Sequence, residues 1–305
     1  MPSQSEVVYE TPPQPRQLRL DVVANCNASC LSCHRFLTDR KGGMGSELFM
    51  KILNDISRWQ EPLTEIVPVD YGEFFMRSDW HWLLQMISQK LPRTRIVLPT
   101  NGSLVDEQAT KKLCEILTLR IINFSVNAYF DETYKAFMGL PPETKDRIYK
   151  AIQTIKVLRP DILIRVSIVF DPMYQTDLER DLFYLYWKKV AEVWVLPAAS
   201  AGRPEKQPCN PVIVPCGSLF SDIVIGFDGK LSSCCFDSGF RLDCGVYTGD
   251  LKADWNNKQL QELRAIHNAH KRDTIPLCRS CTFGCSIPEL MDDKMKKALG
   301  CPITK

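Results

Sequence analysis

The chain carries thirteen cysteines in 305 residues, and they are unevenly placed. Cys26, Cys30 and Cys33 stand together near the N-terminus, Cys114 stands alone in KKLCEIL, and the other nine follow position 208. The helix-like surroundings of Cys114 give it a packing role. The count is odd and residues 1–16 are polar and proline-dotted, without the apolar core of a signal peptide, so no disulfide framework is expected. Clustered thiols in a reducing compartment read instead as metal or iron–sulfur ligands, and a cytoplasmic location is the expectation. The spacing Cys26-x3-Cys30-x2-Cys33 gathers three thiolates within eight residues. They suffice to hold three irons of a 4Fe–4S cubane while the fourth stays open for a substrate. A structural zinc site, completed by His34, is the competing reading.

Such a motif needs a scaffold, and the pattern around it supplies one. Short Val- and Ile-rich runs at 18–24, 65–70, 95–98, 121–126, 162–170 and 193–196 read as parallel strands buried on both faces. Amphipathic stretches near 47–58, 80–89, 106–117, 144–158 and 177–189 lie between them. This alternation argues for an α/β domain with a parallel sheet. Six units are too few for a closed eightfold barrel, which leaves an open doubly wound sheet or a partial barrel. The cysteine motif follows the first strand, at the end of a strand where such folds place their chemistry. The alternation breaks at Pro197, and residues 197–215, with Pro204, Pro208 and Pro211, read as a linker or irregular crossover. Beyond lies a Cys-rich remainder with one helical pattern over 255–270, marked by Leu260, Leu263 and Ile266.

The string CNASCLSC resembles the CxxxCxxC signature of the radical S-adenosylmethionine superfamily, and further matches follow in family order. Tyr71-Gly72-Glu73-Phe74 after the second strand is similar to the GGEP motif that meets the methionyl amine of the cofactor. Thr100-Asn101-Gly102 is similar to a recurrent TNG element after the third strand. Ser125 and Asn127 fall where the family contacts the ribose or methionyl groups, and Arg165 and the Leu196 backbone fall at similar contact positions. The resemblance implies a partial (β/α)6 TIM-like barrel over 16–201, after an N-terminal tail of 1–15. It also implies a 4Fe–4S cluster on Cys26, Cys30 and Cys33 with S-adenosylmethionine at its open iron. Two positions depart from the pattern. Ser32 stands where an aromatic residue packs on adenine, and Phe74 replaces Pro, so adenine stacking falls to another ring such as His34 or Phe36.

Residues 202–305 resemble a small SPASM or twitch-type auxiliary-cluster domain. Cys216-x12-Gly229-x4-Cys234 matches the opening of that motif, and Cys278-x2-Cys281 supplies its later pair. Together Cys216, Cys234, Cys278 and Cys281 look like the four ligands of one auxiliary 4Fe–4S cluster. A second cluster would draw on Cys209, Cys285 and Cys301, but one cysteine of the full SPASM set is missing. A zinc knuckle of Cys278, Cys281, Cys285 and Cys301 is the bland alternative. Cys235 and Cys244 are left over: each either packs as a small apolar side chain or returns a hydrogen atom to a substrate radical, as in certain radical epimerases.

Composition narrows the partners. With 45% apolar and 24% charged residues the chain is globular. A formal charge of +2 gives no electrostatic case for nucleic acid or membrane as partner, and no apolar run spans a bilayer. The resemblance implies an external electron donor such as flavodoxin or ferredoxin, and hydrogen abstraction from a substrate C–H bond. The product is then oxidised (a dehydrogenase) or inverted (an epimerase). Only 25 residues precede Cys26, too few for a peptide-recognition domain, so a small-molecule or carbohydrate substrate is expected. A peptide-modifying maturase is the alternative, and a non-catalytic zinc-binding protein is the reading from another class.

Overall fold

The computed structural model describes residues 7–201 and 214–282. Its sheet contains β1 (Gln17–Leu20), β2 (Glu65–Val67), β3 (Arg95–Thr100), β4 (Leu119–Ser125), β5 (Leu163–Phe170), β6 (Glu192–Pro197), β7 (Asp222–Ile225) and β8 (Leu231–Ser232). The spatial order is β6-β5-β4-β3-β2-β1-β7-β8. The first six strands are parallel neighbours in chain order, as in a barrel wall, with helices between them. β7 joins parallel to the free side of β1, and β8 turns back antiparallel. This is the expected partial α/β barrel, widened by a hairpin from the Cys-rich part.

The strands alternate, which the reading as two-sided apolar strands did not anticipate. Leu18, Leu20, Ile66, Ile96, Leu98, Ile122, Phe124 and Val166 are buried in the main core. They pack there with Phe49, Ile52 and Leu53 of α1 (Ser46–Ile56), Leu84 and Ile87 of α2 (Trp80–Lys90), and Ile152 and Ile155 of α5 (Thr144–Leu158). Each such side chain contributes about 1.5–3 kcal/mol by leaving water. The intervening residues Arg19, Glu65, Arg95, Asn123, Ser125 and Arg165 face a cavity of about 1500 Å³ on the other side. A period of two thus divides each strand between core and site.

Element ends differ from the sequence reading for identifiable reasons. β1 stops at Leu20 because the apolar run from Val22 pairs elsewhere: Ala24 N–H donates to Gly42 O (2.9 Å) and Met44 N–H to Val22 O (2.9 Å). β2 stops before Pro68, which has no N–H to donate to a ladder. α3 (Glu107–Cys114) is capped by Asp106, whose carboxylate accepts from Ala109 N, and Cys114 ends it half-buried against the core. The short helix α4 (Asp131–Met138) went unread because eight residues give too little periodicity. α6 is Asp177–Trp187. The helical pattern at 255–270 resolves into α7 (Leu251–Trp255) and α8 (Lys258–Asn268), with Asn257 capping the second. α9 (Pro276–Arg279) closes the described part of the Cys-rich segment.

Candidate active site

The loop after β1 carries Cys26, Cys30 and Cys33, all of which line the large cavity. Two neighbours hold it. On one side it rests on the end of α4, where Ser29 N–H donates to Met138 O and Leu31 N–H to Phe137 O, both at 2.9 Å. Gly139 follows in the left-handed region (φ 66°), which glycine adopts without strain, and a Cβ there would press on the Ser29 side chain, 1.9 Å from its Oγ. On the other side the loop meets Gly72, where a Cβ would lie 1.8 Å from Val23 O. The next amide, Glu73 N–H, donates to Asn25 O at 2.9 Å. Backbone contact between the two loops therefore sets Glu73 beside the cysteines.

Glu73 is buried and lines the same cavity. Its Oε1 accepts from Phe75 N–H (3.2 Å) and Thr100 Oγ1 (2.8 Å), and its Oε2 from Asn101 N–H (2.8 Å). Burial, which those bonds oppose, holds its pKa above the usual glutamate value. Among the described residues no cationic side chain pairs with it. A carboxylate offers about four acceptor positions, so room remains for an ammonium group. Asn101 donates Nδ2 to Asn27 Oδ1 (2.9 Å) and faces Cys26 Sγ at 3.9 Å. Asn127 sits at φ 62°, a left-handed position that asparagine tolerates, with its Oδ1 accepting from Val169 N–H at 2.8 Å. Its Nδ2 lies 3.0 Å from Met138 Sδ, which in turn lies 3.4 Å from Cys30 Sγ.

Ser125, Arg165 and Leu196 also line the cavity. Arg165 lies two residues below Ser167, the residue paired with Ser125, and its guanidinium stacks 4.1 Å over Trp194 and reaches Glu192 at 3.4 Å. Burial lowers its pKa. Of the two rings considered for adenine, His34 lines the cavity, 5.0 Å from the Phe236 ring. Phe36 is 56% exposed beneath the Arg35 guanidinium and does not line it.

Burial, with Cys33 and Cys26 close by, pushes the Cys30 thiol up to about 12. Sulfurs crowded in this way gain when a cation takes their charge. The same holds in the Cys-rich part, where Cys216, Cys234, Cys278 and Cys281 line one cavity with apolar walls from Leu219, Leu242, Ile275 and Leu277. Burial is the main cause that raises the Cys234 thiol well above its ordinary value, and the nearby sulfurs of Cys235, Cys281, Cys216 and Cys278 add to it. Among the described residues no three His, Cys, Asp or Glu side chains form a single-ion site. Cys209, Cys285 and Cys301 lie outside the described residues.

The two leftover thiols part company. Cys235 lines both the auxiliary-cysteine cavity and the large one, and burial pushes it up to about 12. Its carbonyl accepts a hydrogen bond from the Tyr71 hydroxyl, next to Gly72. Cys244 lies in the main core, fully buried, and lines neither cavity. The hydrophobic surroundings of β8 claim it as a packing residue.

Sequence reasoning missed three contributors. Met138 and Gly139 form the platform under the cysteine loop, and no motif marks them. His267 joins the auxiliary site through Cys216 N–H, which donates to its Nδ1 at 3.1 Å. Burial, aided by nearby Arg272, lowers its pKa to about 4, so the ring is neutral near pH 7.

Comparison with known families agrees with this geometry. A family model described as the radical SAM superfamily matches residues 21–182, and one described as the SPASM iron–sulfur cluster-binding domain matches residues 216–282. The chain belongs to the radical SAM superfamily. It binds a 4Fe–4S cluster and S-adenosylmethionine in the first region and auxiliary iron–sulfur in the second. A probable GTP 3′,8-cyclase of Methanosarcina acetivorans is 27% identical over 140 residues, 45% of this chain; the match spans only 40% of that relative's length. Among solved structures, BtrN in complex with AdoMet and 2-DOIA superposes with a TM-score of 0.66 at 15% identity, covering 94% of this chain and 98% of that one. The Streptococcus suis protein SuiB bound to precursor peptide SuiA gives 0.64 at 13% identity, covering 83% and 67%. Native anSMEcpe with bound AdoMet and Cp18Cys peptide gives 0.63 at 14%, covering 90% and 92%. At these identities the likeness speaks for the fold.

Proposed function

We propose that this enzyme takes a hydrogen atom from a small hydroxylated molecule of the carbohydrate class and that Cys235 returns one to the opposite face, making it an epimerase. The position of Cys235, on the wall shared by the two cavities, carries this reading. S-adenosylmethionine at the first cluster supplies the 5′-deoxyadenosyl radical that opens the reaction. Cys26, Cys30 and Cys33 hold that cluster. The pair Gly72–Glu73 receives the methionyl ammonium, and Asn101, Ser125, Asn127, Arg165 and Leu196 line the rest of the cofactor and substrate space. Cys216, Cys234, Cys278 and Cys281 hold one auxiliary cluster beside Cys235, whose sulfur is left as a thiyl radical and returns to the thiol by taking one electron, relayed through that cluster from the external electron donor, and one proton from solvent.

Cavity size supports a small substrate. One ligand typically takes about 300–1000 Å³. A cavity of about 1500 Å³ therefore has room for the cofactor and one modest partner. Oxidation is the second reading, because an auxiliary cluster one residue from the cavity wall could accept an electron from the substrate radical; the fold shared with BtrN, crystallised with 2-DOIA, keeps it in view.

The test is anaerobic turnover of the reconstituted enzyme in D2O with a panel of sugars and amino-sugars. The expected product is an epimer carrying one solvent deuterium, with release of 5′-deoxyadenosine. The C235A variant should still cleave the cofactor and consume substrate, without forming the epimer. A ketone lacking deuterium, formed equally by C235A, would replace this reading with oxidation. Turnover on a peptide alone would replace the substrate class.

A further inference from the structure

His267 is buried on the last turn of α8, and both of its ring nitrogens are engaged. Cys216 N–H donates to Nδ1 at 3.1 Å, so Nδ1 carries no proton. In a neutral imidazole the proton then sits on Nε2. Nε2 lies 3.6 Å from Cys278 Sγ, within reach of an N–H···S hydrogen bond. One ring thus ties together two cysteines that are 62 residues apart in the chain. Its own place is fixed from below. Arg264, one turn earlier on α8, donates Nε to Leu219 O (3.0 Å) and Nη1 to Trp255 O (2.8 Å). Leu219 belongs to the single 3-10 turn Gly217–Phe220 that follows Cys216 directly. The helix and the cysteine turn are therefore bonded to each other at two points.

We infer that His267 is a positioning residue that sets the reduction potential of the auxiliary cluster by donating Nε2–H to the Cys278 sulfur. This rests on the reading that Cys216, Cys234, Cys278 and Cys281 hold that cluster. Reduction places additional negative charge on the cluster and its sulfurs. A fixed N–H donor stabilises the reduced form more than the oxidised one, and hydrogen bonds to the sulfurs are a recognised control on such potentials. The donor is preset: the Cys216 amide selects the tautomer, so the ring cannot turn its lone pair toward the sulfur without losing that bond.

Potentiometric titration followed by EPR, on the full chain with both cluster types loaded, tests the inference. The first cluster is recognised by its response to added S-adenosylmethionine. In H267L the auxiliary potential should fall, with iron content and the first cluster's potential unchanged. H267Q keeps an amide donor near the same place and should recover part of the shift. On the unsubstituted reduced protein, electron–nuclear double resonance should find a weakly coupled proton that disappears in D2O. Equal auxiliary potentials in all three proteins at equal iron would overturn the inference. So would absence of the exchangeable proton, a measurement that needs no variant to fold. Strong coupling to 15N-labelled histidine would overturn it too, since His267 would then be a ligand. C278S separates the underlying assignment: an unaltered auxiliary signal there would remove the cysteine set and the inference together.

Discussion

Replacing Gly72 with Ala puts the contact between the two cofactor loops to the test. The added Cβ would lie 1.8 Å from Val23 O, 2.7 Å from Val23 C and 2.9 Å from Asn25 O. A carbon–oxygen contact settles at about 3.3 Å, so the loops must part by about 1.5 Å. All three obstacles are backbone, with no flexible side chain to yield. That displacement breaks the 2.9 Å bond from Glu73 N–H to Asn25 O, a net loss of about 1 kcal/mol. Strain of overpacking adds about 1–3 kcal/mol, and the sum is about 2–4 kcal/mol. At about 2 °C per kcal/mol for a chain of this size, the melting temperature should fall by about 4–8 °C. Glu73 also shifts away from Thr100 and Asn101, so affinity for S-adenosylmethionine should drop at least about tenfold, equivalent to about 1.4 kcal/mol. Anaerobic calorimetry reads both quantities. Gly45→Ala is the matched control, since nothing lies within 4 Å of its Cβ position. A G72A protein that melts with the wild type and binds the cofactor equally well would refute the loop-contact argument.

Three further outcomes follow from the same structure. Asp21 is buried with one carboxylate oxygen unpartnered, and burial raises its pKa from 3.8 to about 6. A raised folded-state value means stability is greatest below the unfolded pKa and is lost as pH rises to about 6. Asp21→Asn should therefore stabilise the protein above pH 6 by about 3 kcal/mol, with no pH-dependent gain below pH 4, as urea titrations at several pH values would read. Asn257→Ala removes both the α8 cap, where Oδ1 accepts from Leu260 N–H (2.9 Å), and the bond from Nδ2 to Cys244 O (2.9 Å). Its expected cost is about 2–3 kcal/mol by the same titration. Cys278→Ser should lower bound iron by about four atoms per chain and leave the cofactor-responsive cluster in place, as measured by iron analysis and EPR.

What could be read from the sequence was the part governed by local spacing. The cysteine loop, Gly72–Glu73 and Asn101 sit at strand ends, and alternating strands and helices announce where strand ends fall. The cavity-facing polar residues Arg19, Glu65 and Asn123 were within the runs read as strands, yet they were passed over because Val and Ile dominate those runs. Their meaning comes from closure of the sheet, which turns one face of each strand inward. β7 and β8 were hidden for a similar reason. Asp222–Ile225 is four residues long, and it becomes a strand by adding to the open side of β1, a partner two hundred residues earlier.

The least legible feature is the joint between the two cysteine regions, and it is made of contacts that no spacing encodes. Ser238 Oγ donates to His34 O at 2.8 Å, the Tyr71 hydroxyl to Cys235 O, and Arg40 grips Asp228 with two bonds of 2.7 and 2.8 Å. The Arg40 guanidinium also stacks between Phe227 and Phe240, at 4.7 and 4.4 Å from their ring centres. Each tie runs from the first cysteine loop or the Gly72 loop to the hairpin that carries Cys234 and Cys235. These contacts bind the second region directly to the first. This coupling holds the Cys235 segment against the Gly72–Glu73 loop, as the proposed role of hydrogen donor would require. It follows that Arg40→Ala, remote from every reacting atom, should weaken epimer formation more than cofactor cleavage. Equal losses in both would mean that the joint serves stability alone.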